Sequence, residues 1–573
     1  MSISANYPAL RPALLLDFAN SQQLDPRVTF SRSTTAPYYD GKTSVLAEQN
    51  LLTYSQDFSN AIWVKAYSTV TASATTAPDG TTTGQKLIGT AVTNSHSVNQ
   101  SGLLASTQYS YSIYAKSADY TNLQLYNDGV GNFNATFDLT AGTTVAVTGC
   151  TSTITSIGSG WYRCTATHTT PASGAKICVQ GFPTGASASN FGNPFTGDGT
   201  SGIYIWGAQL EQRSSVTAYN ATTTSAITNY IPQLLTAPIN APRFDFNPTT
   251  GESLGLLIEQ SSTNLLTYSS DLSTWGLNGL PTLTVNATIS PDGTQTANQV
   301  VTTGSSQGYY KYASTTIGTS YTGSQYFKLA SGAGVFNNIN VGLSVTNGSM
   351  NVNLSTGVAS SIGAGITSYS VVSAGNGWWR ISVSAVATAV STGWTFISGQ
   401  AETLLLWGAQ LEALAFPTSY IPTTSAQVTR ASDNASMTGT NFSSWYNQSQ
   451  GTFYISFDTI KAATNLLGGE FTNQPIFYSS ALDLKTYNGS TGIATLNYFS
   501  LNTIAKGALS YSSSGRALSL NGGTVYTSTG LFQTISQLLI GQGFGGYQNG
   551  HIQKIAFYTI QVTNAQLQAL TGS

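Results

Sequence analysis

"GIYIWGAQLE" occupies Gly202–Glu211 and "LLLWGAQLEA" occupies Leu404–Ala413, so one chain carries the hexapeptide WGAQLE twice, about 201 residues apart. A catalytic motif has no need of a second copy. A duplicated building block would instead repeat every strand its core requires, and the flanking sequence does so. "NLLTYSQDFSNAIW" (from Asn50) pairs with "NLLTYSSDLSTW" (from Asn264), "APDGT" (from Ala77) with "SPDGT" (from Ser290), and "GSGWYRCTAT" (from Gly158) with "GNGWWRISVS" (from Gly375). The copies hold an offset near 214 until the last strand, where the first copy has about 16 extra residues within the Gly/Ser/Asn/Pro-rich stretch Gly181–Gly202. Such a composition reads as an elaborated loop.

Each copy reads as strands. Trp379, Ile381 and Val383 alternate in one copy and Tyr162, Cys164 and Ala166 in the other, the period of two that marks a half-buried strand. The same alternation predicts that Tyr204, Trp206, Ala208 and Leu210 share a face, as do Leu405, Trp407, Ala409 and Leu411. Asp79 and Asp292 stand in Asp-Gly pairs that supply the positive φ of a tight turn. About 150 residues of short strands and such turns predict a jelly-roll β-sandwich. The expected organisation is all-β and multi-domain: 1–49 an amino-terminal arm, 50–215 and 264–415 tandem jelly rolls, 216–263 a linker, 416–437 a connector, and 438–573 a third sandwich. That last part alternates Phe453, Ile455 and Phe457 and ends in a short helix capped by Thr563 or Asn564.

Bulk composition narrows the function. Charged residues are 7% of the 573, against about 25% in ordinary domains. Yet 40% are hydrophobic and 11% aromatic, so the chain has the apolar content to fold. A formal net charge of −2 excludes electrostatic capture of nucleic acid. No apolar run reaches the ~18 residues of a membrane-spanning helix, and the first residues lack the pattern of a secretory leader.

Chemistry-bearing residues are few. Cys150, Cys164 and Cys178 lack metal-site spacing and read as small apolar residues on neighbouring strands, with one disulfide among them the alternative. His96, His168 and His551 lie in separate contexts with no nucleophile motif. Asp198, in "TGDGTSG", reads as a turn residue, with a calcium ligand as the alternative. Glu211 and Glu412 end the WGAQLE strand and read as structural or rim residues, with ligand contact as the alternative. No cofactor is implied, and a metal is left undetermined. Sugar recognition needs aromatic faces flanked by amides and hydroxyls, and the chain has 9 Trp, 31 Tyr and 23 Phe. On the strand face opposite the core set, Trp161 stands with Arg163 and Trp378 with Arg380. These four are the candidate carbohydrate-binding residues, and a second core layer is the competing reading.

Several strings resemble known families. The closing "LLIGQGFGGYQNGHIQKIAFYTIQVTNAQLQAL" resembles the last third of a laminin-G-like, concanavalin-type sandwich, and the strands ending in WGAQLE resemble those of carbohydrate-binding jelly rolls. "NLLTYSQDFSNAIW", "APDGTTTG", "FTGDGTSGIYIWGAQLE", "TSYIPTTSAQVTRASD" and the opening "LLLDFANSQQLDPRVTFSRSTTAPYYDG" together resemble tailed-phage virion proteins of the head-spike, head-fibre or tail-fibre type. The resemblance implies a non-enzymatic protein assembled in the host bacterial cytoplasm and displayed on the virion surface. It further implies attachment through residues 1–49 to capsid or tail proteins, a homotrimer (with copies bound singly or as dimers on a capsid as the alternative), and weak multivalent adhesion to glycans. A purely structural decoration role is the first alternative. A polysaccharide depolymerase, which needs two carboxylates about 5–9.5 Å apart, is the second.

Overall fold

The computed structural model describes residues 11–572 except 128–132, 173–174, 186–190, 333–337, 471–473, 488–491 and 544. The fold is all-β: two tandem jelly-roll sandwiches followed by a third β-sandwich, with strands at 55% of the chain and helix at 4%. Two compact units divide it, one formed by 46–230 with 287–289, the other by 1–45, 231–286 and 290–573.

The first unit is the first jelly roll. Its WGAQLE sheet runs, in spatial order, Thr151–Gly158, Trp161–Thr169, Gln108–Lys116, Gly202–Glu211, Gly84–Gly89 and Ser68–Thr75. The facing sheet runs Thr143–Thr148, Asn134–Asp138, Asn122–Asn127, Ala175–Phe182, Ser97–Leu103 and Val64–Ala66. The second jelly roll repeats this order strand for strand. Its WGAQLE sheet is Ile366–Gly375, Trp378–Val386, Ser320–Gly332, Ala401–Glu412, Ala297–Thr303 and Thr282–Thr288. Its facing sheet is Val358–Ser360, Ser349–Asn353, Asn338–Leu343, Ser391–Ser398, Gln307–Ser314 and Gly276–Asn278. The duplication inferred from WGAQLE is therefore a duplication of a whole sandwich. Of the elaborated loop Gly181–Gly202, residues 186–190 lie outside the described residues.

The WGAQLE strand corrects one expectation. Its register against Gln108–Lys116 shifts between Trp206 and Gln209, and Gly207 sits at φ +61°. Such a bulge adds a residue and reverses the alternation beyond it. Ile203, Ile205, Ala208 and Leu210 therefore enter the core, while Tyr204 and Trp206 face the other way. Gly408, at φ +64°, does the same in the second copy.

In the other unit the terminal sandwich recruits strands from distant sequence. Its larger sheet contains Leu14–Asp17 paired with Gly550–Tyr558, and also Phe244–Phe246 and Ser253–Ile258. Its second sheet begins with Thr29–Ser31 and Asn434–Met437. Leu14 and Leu16 are buried while Leu15 between them is half exposed, and Leu256 and Ile258 join the same core. Residues read as arm, linker and connector thus close the sandwich at 438–573. The terminal helix Asn564–Gly572 lays Leu567 and Leu570 on the outside of the larger sheet. Thr563 opens it with a capping box: its hydroxyl accepts from the Gln566 N–H at 3.3 Å, and its own N–H donates to the Gln566 side chain at 2.9 Å.

Candidate functional site

Of the four sugar-platform candidates, the structure buries Trp161 and Trp378 and leaves Arg163 and Arg380 half-buried. Trp161 and Trp378 are 2% and 1% exposed. Trp161 packs with Ala77 and Trp206, and its indole N–H donates to the Thr76 carbonyl at 3.1 Å. Arg163 lies over the Tyr114 ring rather than over tryptophan, 5.5 Å from its centroid, and donates to the Thr217 carbonyl at 2.7 Å. Arg380 repeats this over Tyr326 at 5.6 Å, bonded to the Thr418 carbonyl at 2.6 Å. The two tryptophans are thus sealed, while the two arginines stay half-buried over tyrosine rings.

What covers them is a strap after the WGAQLE strand, running through Thr217–Thr223 in one copy and Thr418–Thr424 in the other. Sequence reading missed the strap, although "TAYNATT" and "TSYIPTT" keep the 201-residue offset of WGAQLE. The hexapeptide latches it. Glu211 accepts from the Thr217 N–H at 2.8 Å and hydroxyl at 2.6 Å, and Glu412 from the same groups of Thr418 at 2.9 and 2.5 Å. Gln209 accepts from the Asn220 N–H at 2.6 Å, as Gln410 does from Ile421. Beneath the strap, Asn50 donates to the carbonyls of Ala208 and Asn220 and accepts from the N–H groups of Leu52 and Leu210. Asn264 repeats all four bonds with Ala409, Ile421, Leu266 and Leu411.

Beside the strap of the first jelly roll a recess of about 250 Å³ opens, lined by Tyr54, Gln56, Asp57, Thr83, Gln85 and Thr222 among others. Tyr54 is held at φ +48°, a left-handed conformation that a bulky residue keeps only when its surroundings enforce it. Its N–H donates to the Thr223 carbonyl at 2.7 Å, and its carbonyl accepts from the Trp63 indole at 3.0 Å. Tyr268 repeats the conformation at φ +54°, with the Thr424 carbonyl and Trp275 as partners. Burial works against the charge of Asp57, but hydrogen bonds from Ser59 and Gln85 outweigh it and hold the carboxyl below its ordinary range. An aromatic ring, two amides, hydroxyls and a carboxylate in one small concavity can bind a polyhydroxylated ring.

The remaining candidates have local partners. Asp198 accepts from the N–H groups of Thr200 and Ser201 at 2.8 and 2.7 Å within its own turn. Asp79 and Asp292 each accept from the threonine two residues on, as expected of turns. Cys150, Cys164 and Cys178 are unbridged thiols, with burial raising Cys150 to about 11. His96 bonds to backbone carbonyls of Tyr67 and Phe195, and His168 stacks on Phe133 with ring centroids 3.9 Å apart.

His551 lies between Asp458 at 2.9 Å and Asp245 at 3.2 Å. Burial opposes its charge, but the two carboxylates prevail and raise it to about 10. Because the folded value exceeds the unfolded ~6.5, the stabilisation is complete below pH ~6.5 and is lost as pH rises through about 10. Urea unfolding of the chain is expected to shift to lower midpoints between neutral pH and pH 10, and His551→Gln is expected to flatten that dependence.

No family model matches the chain, and no curated protein matches it. Three solved structures are similar at low identity. A carbohydrate-binding-type protein from Bacteroides ovatus is 11% identical over 46% of this chain and 78% of its own, with a TM-score of 0.18. The tandem CBM51 modules of a family 98 glycoside hydrolase from Streptococcus pneumoniae are 10% identical over 66% of this chain and 100% of their own, TM-score 0.17. The LG1–3 region of the laminin α2 chain is 10% identical over 83% of this chain and 98% of its own, TM-score 0.19.

Proposed function

We propose that this chain is a non-enzymatic surface protein of a tailed-phage virion whose sandwiches adhere weakly to glycans. The observation that carries the glycan reading is the recess beside Tyr54, where a strained tyrosine, repeated in the second copy as Tyr268, is fixed by two hydrogen bonds against a polar wall. The virion reading is supported by the phage-like strings, which include the strap and the strands that close the terminal sandwich. Repeated weak sites on a homotrimer, with many trimers on a particle, would act by avidity rather than by a strong single contact. Attachment to capsid or tail proteins is assigned to the amino-terminal segment.

A binding role rather than catalysis is supported by the buried carboxylates. Glu211, Glu412, Glu259 and Asp433 each accept hydrogen bonds from protein groups, which fixes them in place as acceptors. Purely structural decoration is the second reading, and the sealing of Trp161 and Trp378 favours it. The test is binding of the full chain to immobilised glycans. Tyr54 also packs against the main core, so Tyr54→Ala is expected to lower the unfolding midpoint somewhat, and to weaken retention of the still-folded protein about tenfold. Unchanged retention would remove the recess from the account.

A further inference from the structure

Each jelly roll leaves the same side open. In the first, Thr151–Gly158 ends the WGAQLE sheet, Thr143–Thr148 ends the facing sheet, and the chain passes from one to the other. Ile366–Gly375 and Val358–Ser360 hold the same places in the second. Among the described residues, one side of each of these strands has no neighbouring strand to take its backbone N–H and C=O groups. The core faces run out uncovered here. Val147 lies opposite the core residue Ala135, and Tyr369 opposite the core residue Val383, yet each is 45% exposed. Ile157, Val358 and Val372 are exposed on the same side.

A sheet end that stays in water is normally guarded by lysine, proline or a bulge. The sequence holds no Asp, Glu, Lys, Arg, His or Pro between Asp138 and Arg163, nor between Lys328 and Arg380. The register is unbroken over 151–156 and 368–373, with the shifts falling outside those runs. The Thr249 hydroxyl meets the Ser373 carbonyl at 3.5 Å, which leaves 368–372 open. The opposite end of the same sheet is interrupted in both copies. Ser73 stands at φ +51° where the ladder of Ser68–Thr75 breaks, and Asn286 at φ +52° within Thr282–Thr288. Both copies thus keep one end interrupted and the other regular enough to pair.

What fits such an edge is another extended strand. It must be uncharged, because a charge brought against Val147 or Tyr369 would lose its water without gaining a partner. The chain itself supplies two strands of this kind, one on each jelly roll. Two separate edges on one chain are what a head-to-tail contact needs, and a head-to-tail contact that closes into a ring leaves no edge over.

We infer that copies of this chain associate by antiparallel strand pairing, 151–156 of one copy against 368–372 of the next. Each contact continues the WGAQLE sheet of one jelly roll into that of its neighbour. The inference rests on the homotrimer proposed above and names the surface that builds it.

The experiment is sedimentation equilibrium of the full chain, with thermal unfolding as the folding control and amide hydrogen exchange read at 151–156 and 368–372. Thr155 and Val372 are both exposed on these strands. The wild type is expected to sediment as a trimer with both runs protected. Thr155→Lys and Val372→Lys together set like charges at every contact and are expected to weaken association about tenfold or more, with both runs exchanging and the unfolding midpoint kept. Thr155→Lys combined with Val372→Glu is expected to restore the trimer. A trimer that the two lysines leave intact, or that the Lys/Glu chain fails to restore, would overturn this interface and leave the homotrimer standing. A wild-type dimer, the product of each edge pairing with itself, would overturn the head-to-tail order. A monomeric wild type would overturn both the interface and the homotrimer.

Discussion

Replacing Asp433 with alanine is expected to destabilise the unit holding the terminal sandwich by about 3–5 kcal/mol, the usual cost of leaving buried charges without their partner. Asp433 bonds Arg32 at 2.8 Å and Arg243 at 2.5 Å, and Arg243 also bonds Glu259 at 2.8 Å. Arg430 approaches Glu259 at 3.5 Å, and all five side chains are at most 4% exposed. Ser419 adds bonds to Glu259 through its N–H and hydroxyl. The cluster ties together the amino-terminal segment, the stretch between the jelly rolls and the connector before residue 438. Burial lowers Arg32 from its ordinary value and Asp433 counters that; loss of Asp433 would leave the three guanidiniums of Arg32, Arg243 and Arg430 with Glu259 as the one remaining carboxylate of the cluster. Urea unfolding followed by tryptophan fluorescence should show the loss in the transition of this unit, with the first jelly roll's transition unmoved. A single shared shift, or a change under about 1 kcal/mol, would mean that the cluster is not what joins these segments.

Asn264→Ala is expected to cost about 3 kcal/mol or more. It leaves two buried carbonyls and two buried N–H groups without the side chain that satisfies them, at roughly 1–3 kcal/mol per orphaned group before relaxation. Asn50→Ala should do the same to the first jelly roll, since its four bonds are the same. Limited proteolysis gives an independent reading: cleavage should appear in the strap at 418–424 for one variant and at 217–223 for the other. Protection equal to wild type would show that the strap is held without these asparagines.

The sequence made some of this legible and hid the rest for physical reasons. Duplication, all-β character and the capped terminal helix follow from repeated strings, period-two alternation and "TNAQ". The bulge at Gly207 did not follow, because a strict alternation carries no sign of one inserted residue. The glycine in WGAQLE was the only trace of it. The burial of Trp161 and Trp378 was one of two open readings, since alternation says which side a residue faces but not what lies over that side. The recess at Tyr54 was invisible because its geometry comes from a backbone conformation enforced by Thr223 and Trp63, both distant or unremarkable in sequence. The ion cluster left a clue: in a chain with so few charges, "SRST", "APRFDF" and "VTRASD" set arginines among small and apolar residues.

The most direct measurement incubates the full chain with purified host-surface polysaccharide and follows, in the same sample, the protein retained and the reducing ends released. Adhesion by non-catalytic sandwiches predicts retention that grows with the density of the glycan, with reducing ends staying at the level of the polysaccharide alone. Release of reducing ends in step with protein concentration would contradict the account, as would folded protein that no glycan surface retains.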